Sequence, residues 1–238
     1  MLLDIAAVSR SFGSIVAADH LDLAVATNEA VGIIGPNGAG KTTLFNLIAG
    51  TLAPGGGIIR FNDRDITRAA PQARCRAGIG RTHQIPQPFE KLTVFENLLV
   101  GAVHGRQVSE REAAQSCGEI LERLGLLRHA NSLAGSLTLL QRKRLEMARA
   151  LATAPRLLLL DEIAGGLTEG ECAELIGTIR DIRSTGVAIL WIEHIVHALL
   201  AVVDRLVVLN FGRKIAEGVP REVMRSPEVR QIYIGIEA

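Results

Sequence analysis

Several short, wholly apolar runs are spaced along the chain. Ala30-Val-Gly-Ile-Ile34, Arg156-Leu-Leu-Leu-Leu160 and Val187 to Ile192 are too short for helices, and they lack the polar alternation of a half-exposed strand. Each predicts a strand buried on both faces, the pattern of a parallel sheet covered on either side. Leu2 to Val8 and Ile15 to Val25 mix apolar with polar positions around Phe12-Gly-Ser14, which predicts strands about a turn. Ile58 to Phe61 follows the turn Pro54-Gly-Gly-Gly57 as a short strand, and Gly78-Ile-Gly-Arg81 is another. Leu206 to Leu209 and Lys214 to Ala216 form a hairpin across Asn210-Phe-Gly-Arg213, with short helices after it.

Helical periods fill the gaps. Lys41 to Ala49 is a helix, and Thr93-Val-Phe-Glu96 is a capping box that opens another through about Val100. Ser109-Glu-Arg-Glu112 opens a third that stops at Gly125, and Thr138 to Ala152 is a fourth with Leu145, Ala148 and Leu151 facing inward. Thr168-Glu-Gly-Glu171 caps a fifth to about Arg183. The chain thus reads as one α/β domain with a core of 1–88 and 155–238 and a helical subdomain of about 89–154. Its sheet is mostly parallel, with an antiparallel β region at the N-terminal end. In such sheets ligand groups gather at the carboxyl ends of strands, where Asp161, Glu162 and His194 fall.

A length of 238 residues is ample for one core with a subdomain. The formal net charge of +1 gives no broad basic field for nucleic acid. Cys75, Cys117 and Cys172 are scattered singly, which argues against a disulfide framework or zinc site and fits a reducing cytosol. Met1-Leu-Leu-Asp4 has no basic segment leading into an apolar run, and the apolar stretch Val187 to Leu209 is broken by Glu193, His194, His197, Asp204 and Arg205. Neither a signal peptide nor a membrane span is expected. A mean hydropathy of +0.26 leaves two readings, apolar surface kept for a partner or a fully covered parallel sheet.

The chemistry begins at Gly35, Pro36, Asn37, Gly38, Ala39, Gly40, Lys41, Thr42 and Thr43, which satisfy the phosphate-binding P-loop template between a strand and a helix. Glycines let successive N–H groups crowd around phosphate oxygens, and a helix N-terminus adds its dipole. Lys41 is placed to reach the β- and γ-phosphates, and the Thr42 hydroxyl to ligate Mg²⁺. Phe12 either offers an aromatic face to adenine or is an edge phenylalanine. Thr82 to Phe89 holds Pro86 and Pro88 and reads as an irregular loop. His194 and His197 lie one turn apart without a third ligand in sequence range, so a satisfied histidine outweighs zinc.

With P-loop, a glutamine in an irregular loop, a helical segment, Asp161-Glu162 after an apolar strand and His194 in that order, the chain resembles the ATP-binding-cassette ATPases over nearly its whole length. Gly80 to Phe89, Arg144 to Leu151 and Ser226-Pro-Glu-Val229 are similar to the ATP-binding subunits of branched-chain amino-acid importers. The resemblance implies a P-loop NTPase fold with a RecA-like core, ATP and Mg²⁺ as cofactors, and ATP hydrolysis that powers transport. It implies that Asp161 and Gln84 serve Mg²⁺, that Gln84, Glu162 and His194 act on the attacking water, and that a carboxylate suits the proton-accepting step. It further implies a second ATPase subunit, membrane permeases, an indirect link to a solute-binding protein, no nucleic acid, and a place on the cytoplasmic face of the membrane. A soluble cassette ATPase acting on DNA or ribosomes is the alternative, as is a low-turnover ATP-regulated subunit, against which Glu162 argues.

One departure stands out. Where the family usually has Leu-Ser-Gly-Gly-Gln, this chain has Leu137-Thr138-Leu139-Leu140-Gln141, and Ile163 replaces the proline usual after the acidic pair. Two leucines for two glycines are expected to add bulk to the surface offered to a partner's nucleotide, which predicts an asymmetric heterodimer.

Overall fold

The computed structural model describes residues 1–234. In chain order its strands and helices are β1 (Leu3–Phe12), β2 (Ile15–Val25), β3 (Ala30–Ile34), α1 (Lys41–Ala49), β4 (Gly56–Phe61), β5 (Arg64–Asp65) and α2 (Pro71–Ala77). Then come β6 (Ile79–Arg81), α3 (Val94–Arg106), α4 (Glu110–Arg123), α5 (Leu139–Ala152), β7 (Leu157–Asp161), α6 (Glu169–Ser184) and β8 (Ala188–Ile192). The chain continues through α7 (Val196–Leu200), β9 (Arg205–Asn210), β10 (Arg213–Gly218), α8 (Pro220–Val223) and α9 (Pro227–Ile234).

A six-stranded sheet runs β10-β9-β3-β8-β7-β6, and only the β10 edge is antiparallel. A four-stranded antiparallel sheet runs β2-β1-β4-β5. Every residue of β3, β7 and β8 is buried, as their unbroken apolar sequences require. The period-2 geometry of a strand divides these residues between two cores. Ile34, Leu158, Leu160 and Trp191 face a core built with α3 to α6, whereas Val31, Leu159 and Leu190 face one built with α1 and the antiparallel sheet.

β1, α3 and α2 are among the elements that differ from the sequence expectation. β1 runs on to Phe12 because bulges at Ala7 and His20, both with positive φ, let it stay paired through a stretch without alternation. α3 continues to Arg106. Gly101 and Gly105 end its apolar pattern, yet they admit the neighbouring helix, since a Cβ on Gly101 would stand 2.9 Å from the Arg149 carbonyl oxygen. α2 has no sequence signal beyond Pro71 at its start. Its Arg74 is buried and donates to the Ile48 carbonyl at the end of α1, to Ala69 and to Thr67, so an arginine supplies the tertiary anchor that periodicity does not announce. The capping boxes at Thr93, Ser109 and Thr168 are all formed with both of their hydrogen bonds.

Candidate active site

β3 delivers the chain into the loop of 35–40 at the carboxyl end of the sheet, and α1 starts at its far side. Gly40 has φ 98° and a Cβ there would stand 2.3 Å from the Ala17 carbonyl oxygen, so only glycine fits. Lys41 is 5 % exposed and donates from Nζ to the carbonyls of Gly35 at 2.7 Å and Pro36 at 3.0 Å, inside the loop's curl. Burial pushes its ammonium below the ordinary range, while Glu162 and Asp161 nearby pull it back up. Phe12, Ile15 and Ala17 join Asn37 to Thr43 and Glu162 around one open pocket of about 310 Å³. Phe12 therefore faces the same space as the P-loop, with the Arg10 guanidinium 5.2 Å from its ring centroid.

Three of the expected hydrolytic side chains meet. Glu162 accepts from Gln84 Nε2 at 2.6 Å on one carboxylate oxygen, and His194 Nε2 lies 2.7 Å from the other. These contacts join three segments, the loop after β6, the end of β7 and the end of β8. Glu162 has φ 46°, a left-handed conformation that a glutamate adopts only under constraint, and its N–H donates to the Ile192 carbonyl.

Asp161 sits apart from that cluster, 4 % exposed, with Oδ2 accepting from Arg81 Nη2 at 3.1 Å. Burial raises its carboxyl above the ordinary range and Arg81 opposes the rise. Hydroxyl and carboxylate oxygens such as those of Thr42 and Asp161 are the hard donors that Mg²⁺ takes together with phosphates. Among the described residues there is no group of three or more His, Cys, Asp or Glu that could hold a metal ion.

The stretch 137–141 corrects one expectation. Thr138 caps α5 and exchanges hydrogen bonds with Gln141, but Leu140 is 8 % exposed and belongs to the helical core. Only Leu139, 45 % exposed, presents bulk to the surface, because adjacent helix positions point about 100° apart and one of them must face inward.

Sequence reasoning missed Arg81, which also donates to the Asn46 side chain at 2.7 Å, and the clamp on the loop of 82–89. There His83 and Arg149 both contact Glu146, Arg149 donates to the Gln87 carbonyl, and Asn97 holds Phe89 by its N–H and its carbonyl. Charged residues within the otherwise apolar face of α5 were the available signal. Phe89 remains 47 % exposed, its ring under the Arg149 guanidinium at 4.9 Å.

Residues 18–165 match the family model described as ABC transporter, and 213–238 match that described as branched-chain amino acid ATP-binding cassette transporter. The chain is 36% identical over 250 residues to the high-affinity branched-chain amino acid transport ATP-binding protein BraF of Pseudomonas aeruginosa, with 98% of each covered. It is 36% identical over 249 residues to the corresponding protein LivG of Escherichia coli K12, again with 98% of each covered. Its fold is similar to the crystal structure of the ADP conformation of an ATP-binding cassette from an ABC transporter, at TM-score 0.90 and 34% identity over 98% of both chains.

Proposed function

This chain belongs to the ABC transporter family of ATPases, and from that premise we propose that it is the ATP-hydrolysing subunit of an importer for branched-chain amino acids or similar small polar solutes. The observation that carries the hydrolytic reading is the meeting of Gln84, Glu162 and His194 at the edge of the P-loop pocket. The solute class draws its support from the match of 213–238 and from the likeness to BraF and LivG.

In this reading the N–H groups of 35–43 hold the phosphates, Lys41 exchanges its two carbonyl partners for phosphate oxygens, and Phe12 takes the adenine against its ring. Thr42, Asp161 and Gln84 would hold Mg²⁺, which neutralises phosphate charge when bound. Glu162 accepts the proton of the attacking water, and His194 and Gln84 hold that carboxylate in line. Among the described residues no helix is long and apolar enough to cross a membrane, so the chain would reach the cytoplasmic face through permease subunits, linked through them to an extracytoplasmic solute-binding protein.

Phe89 is the candidate for that docking, an exposed aromatic ring on a loop clamped to both α5 and α3. In proteoliposomes holding the whole complex, Phe89→Ala is expected to lower uptake of labelled leucine several-fold more than it lowers ATP hydrolysis. Equal losses in the two assays, or none in either, would remove Phe89 from coupling, and an intact complex that takes up no branched-chain amino acid would remove the solute class.

Leu139 supports pairing with a different ATPase subunit. If two subunits sandwich two nucleotides, each held by one P-loop and closed by the other chain's signature, a homodimer places Leu139 against both. A heterodimer leaves one good site, made by this chain's Lys41, Asp161, Glu162 and His194. Glutamine in place of Glu162 is expected to remove most turnover, and the same change in the partner to cost much less. Equal losses, or cooperative turnover by this chain alone, would contradict the asymmetry.

A further inference from the structure

Glu193 is 2 % exposed, yet its carboxylate is well satisfied. Its Oε2 accepts from the Ala164 N–H at 2.9 Å, and its Oε1 accepts from the N–H groups of His194 at 2.9 Å and Ile195 at 3.4 Å. A buried carboxylate is costly unless such donors surround it, and charge-assisted bonds of this kind are roughly twice as strong as neutral ones. The three amides come from two separate segments. Ala164 lies two residues beyond Glu162, and His194 and Ile195 open the segment after β8. One carboxylate thus ties together the two pieces of backbone that carry Glu162 and His194.

We propose that Glu193 is a positioning residue for hydrolysis, holding the Glu162 segment and the His194 segment in the register that brings His194 Nε2 to the Glu162 carboxylate. The 2.7 Å contact between those side chains has no slack, and Glu162 is already in a left-handed backbone conformation that its surroundings must enforce. No backbone pairing extends past Asp161 and Ile192 along these two strands except the Glu162 N–H to the Ile192 carbonyl, so beyond that point Glu193 carries the connection.

A second buried charge faces the same place. Lys143 of α5 is 3 % exposed and lines a cavity of about 330 Å³ with Gln84, Glu162, Glu193 and His194. Burial pushes its ammonium down, and Glu193 first, then Glu162, pulls it back. The helix that begins at the stretch 137–141 therefore brings a buried positive charge to the cavity that Glu193 and the hydrolytic pair also line.

This inference rests on the reading of Glu162 and His194 as a working pair, and a double-mutant cycle separates the two. In the complex purified through a tag on this chain, Glu193→Ala is expected to lower kcat about 10- to 100-fold, the scale of an ångström misplacement in a catalytic arrangement. ATP affinity by calorimetry should stay within about twofold, since neither segment holds the phosphates in the way that 35–43 do. In a His194→Ala background the same change should cost less than about threefold, because a residue that acts through His194 has nothing left to position. Glu193→Gln, which keeps the shape and one acceptor oxygen, should recover part of the loss, and it carries the same cycle should the alanine variant fail to fold. An equal factor in both backgrounds would mean that Glu193 serves the fold and not the pair, overturning the proposal. Near-native kcat for Glu193→Ala beside a strongly impaired His194→Ala would overturn it while leaving the pair intact. Near-native kcat for His194→Ala would overturn the pair and the proposal together.

Discussion

Glu162→Gln is expected to retain ATP binding while losing about 10²- to 10⁴-fold of turnover, the usual contribution of a positioned general base. The side-chain volume is preserved, so the P-loop pocket that Glu162 helps to line keeps its shape. What changes is the chemistry of two oxygens. A carboxylate accepts from Gln84 and from His194 at once, whereas an amide accepts on one side and presents N–H groups on the other. The variant therefore loses the proton acceptor and one of the two bonds that aim it. Measuring ATP affinity and single-turnover hydrolysis in the assembled complex separates binding from chemistry. Turnover close to that of the unaltered protein would take Glu162 out of the role, and a loss of affinity matching the loss of turnover would make it a binding residue.

Lys41→Ala is expected to act on the earlier step. Its Nζ now satisfies the carbonyls of Gly35 and Pro36, and a bound nucleotide would offer it charged phosphate oxygens in their place. Hydrogen bonds to charged groups contribute about 1.5–3 kcal/mol. ATP affinity in Mg²⁺ should then fall on the order of 10- to 150-fold by that conversion, and AMP, which lacks the β- and γ-phosphates, should be far less affected. Unchanged ATP affinity, or an equal loss for AMP, would place Lys41 away from the terminal phosphates.

The parts legible in the sequence were those where each residue type is demanded locally. Gly40 must be glycine for its φ and for the nearness of Ala17, and the five-residue strands must be apolar because both faces are covered. Thr93, Ser109 and Thr168 announced their helices because a capping box is closed within four residues. The parts that stayed hidden depend on partners far apart in the chain. Arg81 finds Asp161 only because β6 and β7 lie side by side, although the whole helical segment separates them in sequence. Glu193 at the end of an apolar strand was visible as a charge, but the amides it holds were not, since Ala164 reaches it only through the fold. Leu140 was misread for a related reason. A stretch aligned on two glycines suggests two exposed positions, and helical geometry turns one of them inward.

The place of β3 in the sheet also sets a clock on synthesis. Val31 pairs with Leu190 on one side and with Arg205 on the other, so neither neighbour of the strand that feeds the P-loop exists until most of the chain has been made. At about 5–20 residues per second of elongation, the delay between Ile34 and the end of β9 is roughly 10–35 s. Throughout that interval an apolar strand with both edges unpaired belongs to the nascent chain, the kind of segment through which incomplete chains associate. Nucleotide cannot shorten the wait. A ligand stabilises only the state that binds it, and the loop of 35–40 has no fixed carboxyl edge to stand on until β8 and β9 have arrived.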